Sequence, residues 1–354
     1  MRRATAALCL VLGLWLCPQA RATYDPLGGG TTKLSLDPSF AAFLKKDGIK
    51  LSASAGAKRK SGAYLLPVSG GNLDPTLGKG EIETDGTLVF QSQRKRVPLR
   101  EIRIQTKAAP LIAKVGGSQL KAAQGARLSF ERVGFDSELR ATHLKLTQKL
   151  VTRLNKKLRP RVPFKAGQEL GTVFSKAEPR LVTIEDRGKA TLAFDPAFTA
   201  KLDQRFVSLN PVFPAEHQGA TFSLPIALGG ALSPEGTEGT LRTAGAIEML
   251  QLGGAQLFWQ EQWPELGLKL DSAEADLEPT PAFPGKLGRV GIFALSGGSF
   301  TTDPKARTLS LGGTQLTLSP EGASELNRAF GQGEAPPFGA GELVGSFSAT
   351  APGQ

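Results

Sequence analysis

The chain of 354 residues contains only 2 Cys, 2 His, 2 Tyr and 2 Met. So few cysteines exclude a disulfide framework and a cysteine-based zinc site. Two histidines exclude a multi-histidine metal cage unless carboxylates complete it. Glycine and proline are abundant, at 42 and 24 residues, which indicates many turns without a disordered or collagen-like composition. The length predicts about two domains of ordinary size.

The first 22 residues have the three-part pattern of a secretory signal peptide. Arg2 and Arg3 give the positive start, residues 4–17 are apolar, and Ala20-Arg21-Ala22 is a small-x-small cleavage site. The apolar stretch is shorter than the ~20 residues that span a bilayer. Cleavage after Ala22 and a location outside the cell, secreted or on the surface, are therefore predicted. Both cysteines lie in this segment, so the mature chain would have none.

The remainder of the chain repeats itself, which predicts two related domains. Residues 34–40 (LSLDPSF) recur as residues 192–198 (LAFDPAF), at an offset of 158. Further matches follow in the same order, among them Leu154-Asn155 with Leu326-Asn327 and Phe164 with Phe338. We expect a basic first domain over residues 23–186 and an acidic second domain over residues 187–354.

Each repeat is predicted to be mainly β, with antiparallel strands and two short helices. Asp37-Pro38 and Asp195-Pro196 have the residues of a helix start, since aspartate caps a helix and proline fits its first turn. Residues 148–158 and a segment from Ser319-Pro320 to Phe330 predict the second helix of each repeat. Most other segments alternate apolar and polar residues between turn signals, as strands do. The pattern leaves a sandwich and a barrel equally open.

Charge separates the two repeats. Residues 23–186 carry 29 Lys and Arg against 15 Asp and Glu, whereas residues 187–354 carry 11 against 17. The basic repeat contains the runs Lys58-Arg59-Lys60 and Arg94-Lys95-Arg96. One interpretation is a solvated face that maintains solubility, and the other is a patch that attracts an anionic cell-wall or membrane-surface polymer. Nucleic acid is not an expected partner, because the runs lack interleaved aromatic residues for base stacking.

Catalytic patterns are weak. His143 and His217 are the two histidines, and no Gly-x-Ser-x-Gly elbow accompanies them. Glu81, Glu83 and Asp85 form a carboxylate cluster on a predicted strand, which is interpreted first as a solvated face. A glycosidase pair is the alternative, since sequence does not reveal the separation of two carboxylates. We expect no enzymatic activity and no catalytic or metal site.

The repeat resembles the HtaA domain of bacterial cell-surface haem-uptake proteins. The resemblance lies in Ser39-Phe40-x-x-Phe43, in residues 65–71 (LLPVSGG), in Gly78-x-Gly80 and in residues 86–90 (GTLVF). It is clearest over residues 33–105 and weaker over 190–260. It implies β-rich exported domains that bind haem through an iron-ligating tyrosine supported by a histidine.

The positions implied for those haem ligands hold other residues. The tyrosine of the family lies three residues after the first phenylalanine, where this chain has Phe43 and, in the second repeat, Lys201. The histidine follows the strand ending at Phe90, and neither residues 91–96 nor residues 250–253 contain one. Tyr64 and His143 are the remaining candidates for binding haem. As a strand residue, Tyr64 would instead pack its ring and expose its hydroxyl group.

Three functional hypotheses follow. The first is a secreted or cell-surface, non-enzymatic binding or scaffold protein without a cofactor. The second is a haem-binding or haem-uptake protein that uses Tyr64 or His143. The third is a secreted carbohydrate-active enzyme that uses Glu81 and Glu83. The oligomeric state is left open.

Overall fold

A computed structural model describes residues 24–93, 95–107, 110–125, 127–252, 256–259, 265–267, 272–276, 289–331 and 336–354. The predicted signal peptide and Arg94 lie outside the described residues. In the first half of the described chain the strands are β1 (Asp25–Leu36), β2 (Lys50–Ser54), β3 (Lys58–Lys60), β4 (Ala63–Leu73), β5 (Gly80–Thr84), β6 (Thr87–Ser92), β7 (Lys95–Gln105), β8 (Pro110–Val115), β9 (Ser118–Gln124), β10 (Arg127–Val133), β11 (Asp136–Leu146) and β12 (Glu169–Pro179).

Two helices interrupt these strands, as predicted. They are α1 (Pro38–Lys46) and α2 (Gln148–Leu158). The Asp37 carboxylate caps α1 by accepting from the backbone N–H of Ser39 and Phe40 at 2.8 and 3.3 Å. Helix α2 buries Leu150, Val151, Leu154 and Leu158 on one face, and the left-handed Arg159 ends it.

The strands of the first half close into a barrel. Eight strands pair antiparallel in the order β7-β5-β4-β1-β12-β11-β9-β8, and pairing of β7 with β8 completes the ring. This resolves the choice between sandwich and barrel for the first half. Strand β6 pairs with the first residues of β7 and β2 pairs with β6, so that the three strands form a ribbon beside the barrel. Side chains alternate between the apolar interior and the surface along β12.

The second half is built in the same way but is open. Its strands are β13 (Val182–Thr183), β14 (Lys189–Phe194), β15 (Val207–Val212), β16 (Glu216–Gln218), β17 (Thr221–Leu232), β18 (Gly239–Thr243), β19 (Ala246–Gln251), β20 (Gln256–Trp259), β21 (Glu265–Gly267), β22 (Ser272–Asp276), β23 (Arg289–Asp303), β24 (Thr308–Leu318) and β25 (Leu343–Pro352). They form a half-barrel in the order β21-β18-β17-β14-β25-β24-β23-β22 and a ribbon β15-β19-β20. Over the described residues this half-barrel does not close. Its helices are α3 (Pro196–Asp203) and α4 (Pro320–Phe330), where the sequence predicts them.

The buried apolar side chains form two clusters, one for each half. The first extends from Leu27 to Ala177 and the second from Val182 to Ala351. Phe135, in the turn between β10 and β11, belongs to the second cluster. The two halves are therefore in direct apolar contact. The mainly β architecture with four short helices confirms the predicted fold class. Among the described residues no helix has both the length and the apolar character needed to cross a membrane.

Candidate functional site

Phenylalanine rings fill the region between α1 and the three-stranded ribbon of the first domain. Phe43, at the position of the family's tyrosine, packs against Phe164 with ring centroids 5.2 Å apart. Phe40 and Phe90 complete the cluster, at 6.2 and 6.1 Å from Phe164. Phe40, Phe90 and Phe164 are buried and Phe43 is partly buried. The cluster therefore offers aromatic surface but no oxygen or nitrogen side-chain atom that could bind a metal.

The corresponding position of the second domain is occupied by a tethered lysine. The Lys201 ammonium group donates to the carbonyl oxygen of Pro337 at 3.0 Å and pairs with the Glu342 carboxylate. It also lies 5.8 Å from the centroid of the Phe338 ring. An ammonium group donates hydrogen bonds and has no lone pair to give to a metal.

Tyr64 faces the barrel interior from β4. Its side chain is only 2% exposed, and its hydroxyl group donates to the carbonyl oxygen of Leu51 on β2 at 2.9 Å. Burial raises the pKa of the Tyr64 hydroxyl, while the nearby Arg59 guanidinium acts in the opposite direction. The prediction that Tyr64 exposes its hydroxyl group is wrong. The group is buried, and the carbonyl oxygen of Leu51 on β2 is its acceptor.

His143 lies on the exposed face of β11. It occupies a left-handed backbone conformation with φ of 53°, where the pairing of β11 with β12 shifts register. Its exposed ring places Nδ1 2.9 Å from Oε1 of Glu169. The structure does not bring the two candidate haem ligands together, since the hydroxyl of Tyr64 is buried at Leu51 and His143 is in solvent. Within the described residues no group of three His, Cys, Asp or Glu is arranged to hold a metal ion.

The two predicted basic runs lie on different strands of the first domain. Lys58, Arg59 and Lys60 form β3, whose side chains are all exposed and which pairs with β4. Lys95 and Arg96 are exposed at the start of β7, beside the far end of β2, where Lys50 pairs with Gln91 and Gln91 with Arg96. The first run therefore lies beside β4 and the described part of the second beside β6.

A denser basic surface is formed where α1 and α2 end. The Asp47 carboxylate, just after α1, accepts from the backbone N–H of Arg161 and Val162 at 3.1 and 3.0 Å. This contact joins the last turn of α1 to the segment that follows α2. We call the resulting group the helix-end surface; it comprises Lys45, Lys46, Lys156, Lys157, Arg159 and Arg161. All six are exposed, and none pairs with a described carboxylate. The basic run after residue 153 is visible in the sequence, but the contribution of α1 depends on the Asp47 contact.

Glu81 and Glu83 share one guanidinium. Arg103 Nη1 lies 3.0 Å from Oε1 of Glu81 and 3.2 Å from Oε1 of Glu83. Gln105 Nε2 donates to the second oxygen of Glu81 at 2.9 Å. The intervening Ile82 is buried and both carboxylates are partly exposed, as the alternation of the sequence predicts. The four polar side chains form a row on the outer face of β5 and β7.

The first domain is thus an antiparallel barrel with an attached ribbon and two helices, with an aromatic cluster where they meet. Neither family models nor curated protein sequences match this chain. Solved structures do match. The C-terminal domain of HtaA from Corynebacterium glutamicum is 14% identical, with 44% of this chain and 99% of that domain covered and a TM-score of 0.34. The N-terminal domain of the same protein is 15% identical, with 49% and 99% covered and a TM-score of 0.33.

Proposed function

We propose that the protein is an exported, non-enzymatic binding protein of two HtaA-like domains that works outside the cell without haem. In this proposal the first domain holds an anionic polymer of the cell wall or membrane surface through its helix-end surface. The observation that carries the proposal is the packing at the family's ligand position. Phe43 belongs to an aromatic cluster there, and Lys201 is tied to Glu342 in the second domain.

The remaining haem candidates are occupied by protein partners. Ligation by Tyr64 would require breaking its hydrogen bond to Leu51 and moving a ring that is 2% exposed. His143 is accessible and bound only to Glu169. Haem sites combine an axial ligand with a pocket that encloses the porphyrin. A single exposed imidazole such as His143 would hold a porphyrin only weakly.

The arrangement of Glu81 and Glu83 supports a non-enzymatic role. A glycosidase places the scissile bond between its two carboxyl groups. Here Arg103 Nη1 contacts both Glu81 and Glu83, at 3.0 and 3.2 Å. The two glutamates are therefore not placed on either side of a substrate bond.

The helix-end surface supports binding of a polyanion. Six unpaired cations lie together in the first domain, and closely spaced cations raise the local concentration of anionic partners. In the second domain the last turns of α3 and α4 carry Lys201 and Arg328, and these pair with Glu342 and Glu325. The helix ends of the two domains consequently differ in free charge, although their folds are alike.

Adding haem to the purified protein tests the first part of the proposal. We expect no stoichiometric change in the Soret band. A 1:1 change that is lost in Tyr64→Phe or His143→Ala would overturn the absence of haem ligation. Melting curves of both variants would show whether the fold is intact.

Binding to polyphosphate-coated resin and to isolated cell walls tests the second part. We expect retention that weakens as salt is raised, because surface charges are screened at high ionic strength. The triple variant Lys156→Gln, Lys157→Gln, Arg159→Gln should elute at lower salt. The matched control is Lys58→Gln, Arg59→Gln, Lys60→Gln, which removes the same charge from β3. An equal effect of the two triple variants would contradict the assignment to the helix-end surface.

A further inference from the structure

A large open groove lies on the outer face of the first domain, away from the helix-end surface. It has a volume of about 1050 Å³, at the upper end of the range for small-molecule sites. One wall is the end of β4 with the turn into β5, and the floor includes Glu81 and Glu83 of β5 and Gln105 of β7. The opposite wall is formed by Leu128 and Phe130 of β10.

Apolar side chains are exposed along this groove. Tyr24, Leu77 and Leu128 line it and are 45%, 58% and 37% exposed. Apolar side chains that are scattered singly need no explanation, but several that share one concavity mark a binding site. Phe130 packs over Gly78, and Phe300 packs over Gly236 in the second domain in the same way. That ring belongs to the common fold, so the apolar groups particular to this groove are Tyr24, Leu77 and Leu128.

Contacts with Arg103 and Gln105 hold the two glutamates of the groove in place, and some polar atoms stay available to a ligand. Glu81 uses both oxygens on Arg103 and Gln105, and so serves to position them. Glu83 contacts Arg103 through Oε1, which leaves its second oxygen for a ligand. Asn72 on the rim is exposed and adds an amide group with donors and an acceptor. At the positions matching Glu81 and Glu83 the second domain has Thr240 and Arg242, so the carboxylates are specific to this groove.

Charge in the groove is nearly balanced. Lys79, Lys107 and Arg103 face Glu81 and Glu83. The groove therefore lacks the strong single-sign field that would select a polyanion. A matching ligand has apolar faces that contact Tyr24 and Leu77. Hydroxyl groups at its edge form hydrogen bonds with the Glu83 carboxylate and the Asn72 amide. A pyranose ring has both, and an open groove of this volume has room for more than one ring.

We infer that this groove binds a neutral oligosaccharide, with Tyr24 as the stacking ring and Glu83 and Asn72 as hydrogen-bonding groups. The site is separate from the haem position and the polyanion surface of the proposed function. It binds without cleaving, because the Arg103 guanidinium contacts both glutamates and they do not lie on either side of a substrate bond.

Calorimetry of the purified protein with cellohexaose, xylohexaose, mannohexaose, maltohexaose and chitohexaose tests the inference. We expect at least one to bind and to be recovered intact. Tyr24→Ala should weaken its affinity by about tenfold, the effect of losing roughly one aromatic contact of 1.4 kcal/mol. Glu83→Gln should weaken it several-fold. The matched controls are Phe213→Ala and Glu216→Gln, which alter exposed residues of the second domain and should leave binding unchanged.

Amide chemical shifts locate the site independently of these variants. Saturating sugar should move the signals of residues 77–81 and 128–130. If none of the five oligosaccharides binds, or if binding survives both groove substitutions, the inference is wrong. Cleavage of a bound oligosaccharide would overturn the non-catalytic assignment. None of these outcomes depends on the haem or polyphosphate measurements.

Discussion

The side-chain amide of Asn155 brackets the backbone of Phe164. Nδ2 donates to the carbonyl oxygen of Phe164 at 2.9 Å, and Oδ1 accepts from its N–H at 2.9 Å. Asn327 and Phe338 repeat the arrangement in the second domain, at 2.7 and 2.9 Å. In each domain the second helix therefore fixes the phenylalanine that packs against the first helix. The asparagine is thus a structural residue, whose amide presents one donor and one acceptor to the backbone of a single residue.

Asn155→Ala should destabilise the first domain by about 2–6 kcal/mol, because two backbone groups of the buried Phe164 lose their partners at about 1–3 kcal/mol each. Denaturant unfolding measures the loss. Asn155→Asp keeps the acceptor and removes the donor, so it should cost less. Asn327→Ala is the matched change in the second domain and should have a similar effect there. A cost below that of an ordinary surface substitution for both alanine variants would contradict the structural role.

Tyr64→Phe tests the buried hydroxyl. The substitution preserves the packed ring but leaves the carbonyl oxygen of Leu51 without its donor, which should cost about 1–2 kcal/mol of unfolding free energy. The change is measured by chemical denaturation. Tyr24→Phe is the control, since the side chain of Tyr24 is largely exposed. Equal stability of Tyr64→Phe and the unaltered protein would indicate a solvent-accessible hydroxyl after all.

Local signals in the sequence were sufficient for the helices and the strand-rich class. The aspartate-proline pairs place the starts of α1 and α3, and alternation separates Ile82 from its neighbouring glutamates. These features depend on residues within a few positions of one another. The same is true of the repeat itself, because equivalent residues such as Asn155 and Asn327 keep the same structural task.

Long-range pairing could not be predicted in this way. Closure of the first barrel depends on pairing between β7 and β8, whose edges resemble other strand edges in sequence. The environment of Tyr64 is determined by β2, and only the strand pairing shows that the two basic runs have different neighbouring strands. The groove brings together Tyr24, Leu77 and Leu128, which are distant in the chain. Candidate sites that depend on such contacts become visible only in the folded domain.

Substitution of Gly78 or Gly236 should destabilise the protein, because a phenylalanine ring packs directly over each glycine. Both have positive φ, of 61° and 69°, and an added Cβ would lie 2.2 Å from the Phe130 ring or 2.3 Å from the Phe300 ring. Gly78→Ala should cost at least the ~1–2 kcal/mol of a left-handed alanine, plus displacement of the ring. In a Phe130→Ala background the same change should cost less, since only the backbone penalty remains. Thermal unfolding of the four proteins in this cycle measures the difference. An unchanged cost would show that Phe130 does not cover Gly78.

Asp25 connects the two halves of the chain from a buried position. Its carboxylate contacts the Arg132 guanidinium at 3.2 Å and accepts from the N–H and hydroxyl of Thr183 at 3.1 and 2.9 Å. Burial raises the pKa of Asp25 above its ordinary value, although Thr183 and Arg132 act in the opposite direction. The folded protein consequently holds a proton on this carboxyl more readily than the unfolded chain does.

The stability that Asp25 contributes should therefore depend on pH. A raised pKa in the folded state means that the contribution is fully present below the unfolded value of 3.8 and is lost as pH rises through the folded value. Asp25→Asn retains hydrogen bonding to Thr183 but does not titrate. Its destabilisation, measured by urea unfolding from pH 4 to pH 8, should be largest at the acidic end and decline toward neutral pH. The reverse trend would show that the ion pair with Arg132 outweighs burial, and that the two halves are joined by charge more than by the hydrogen bonds to Thr183.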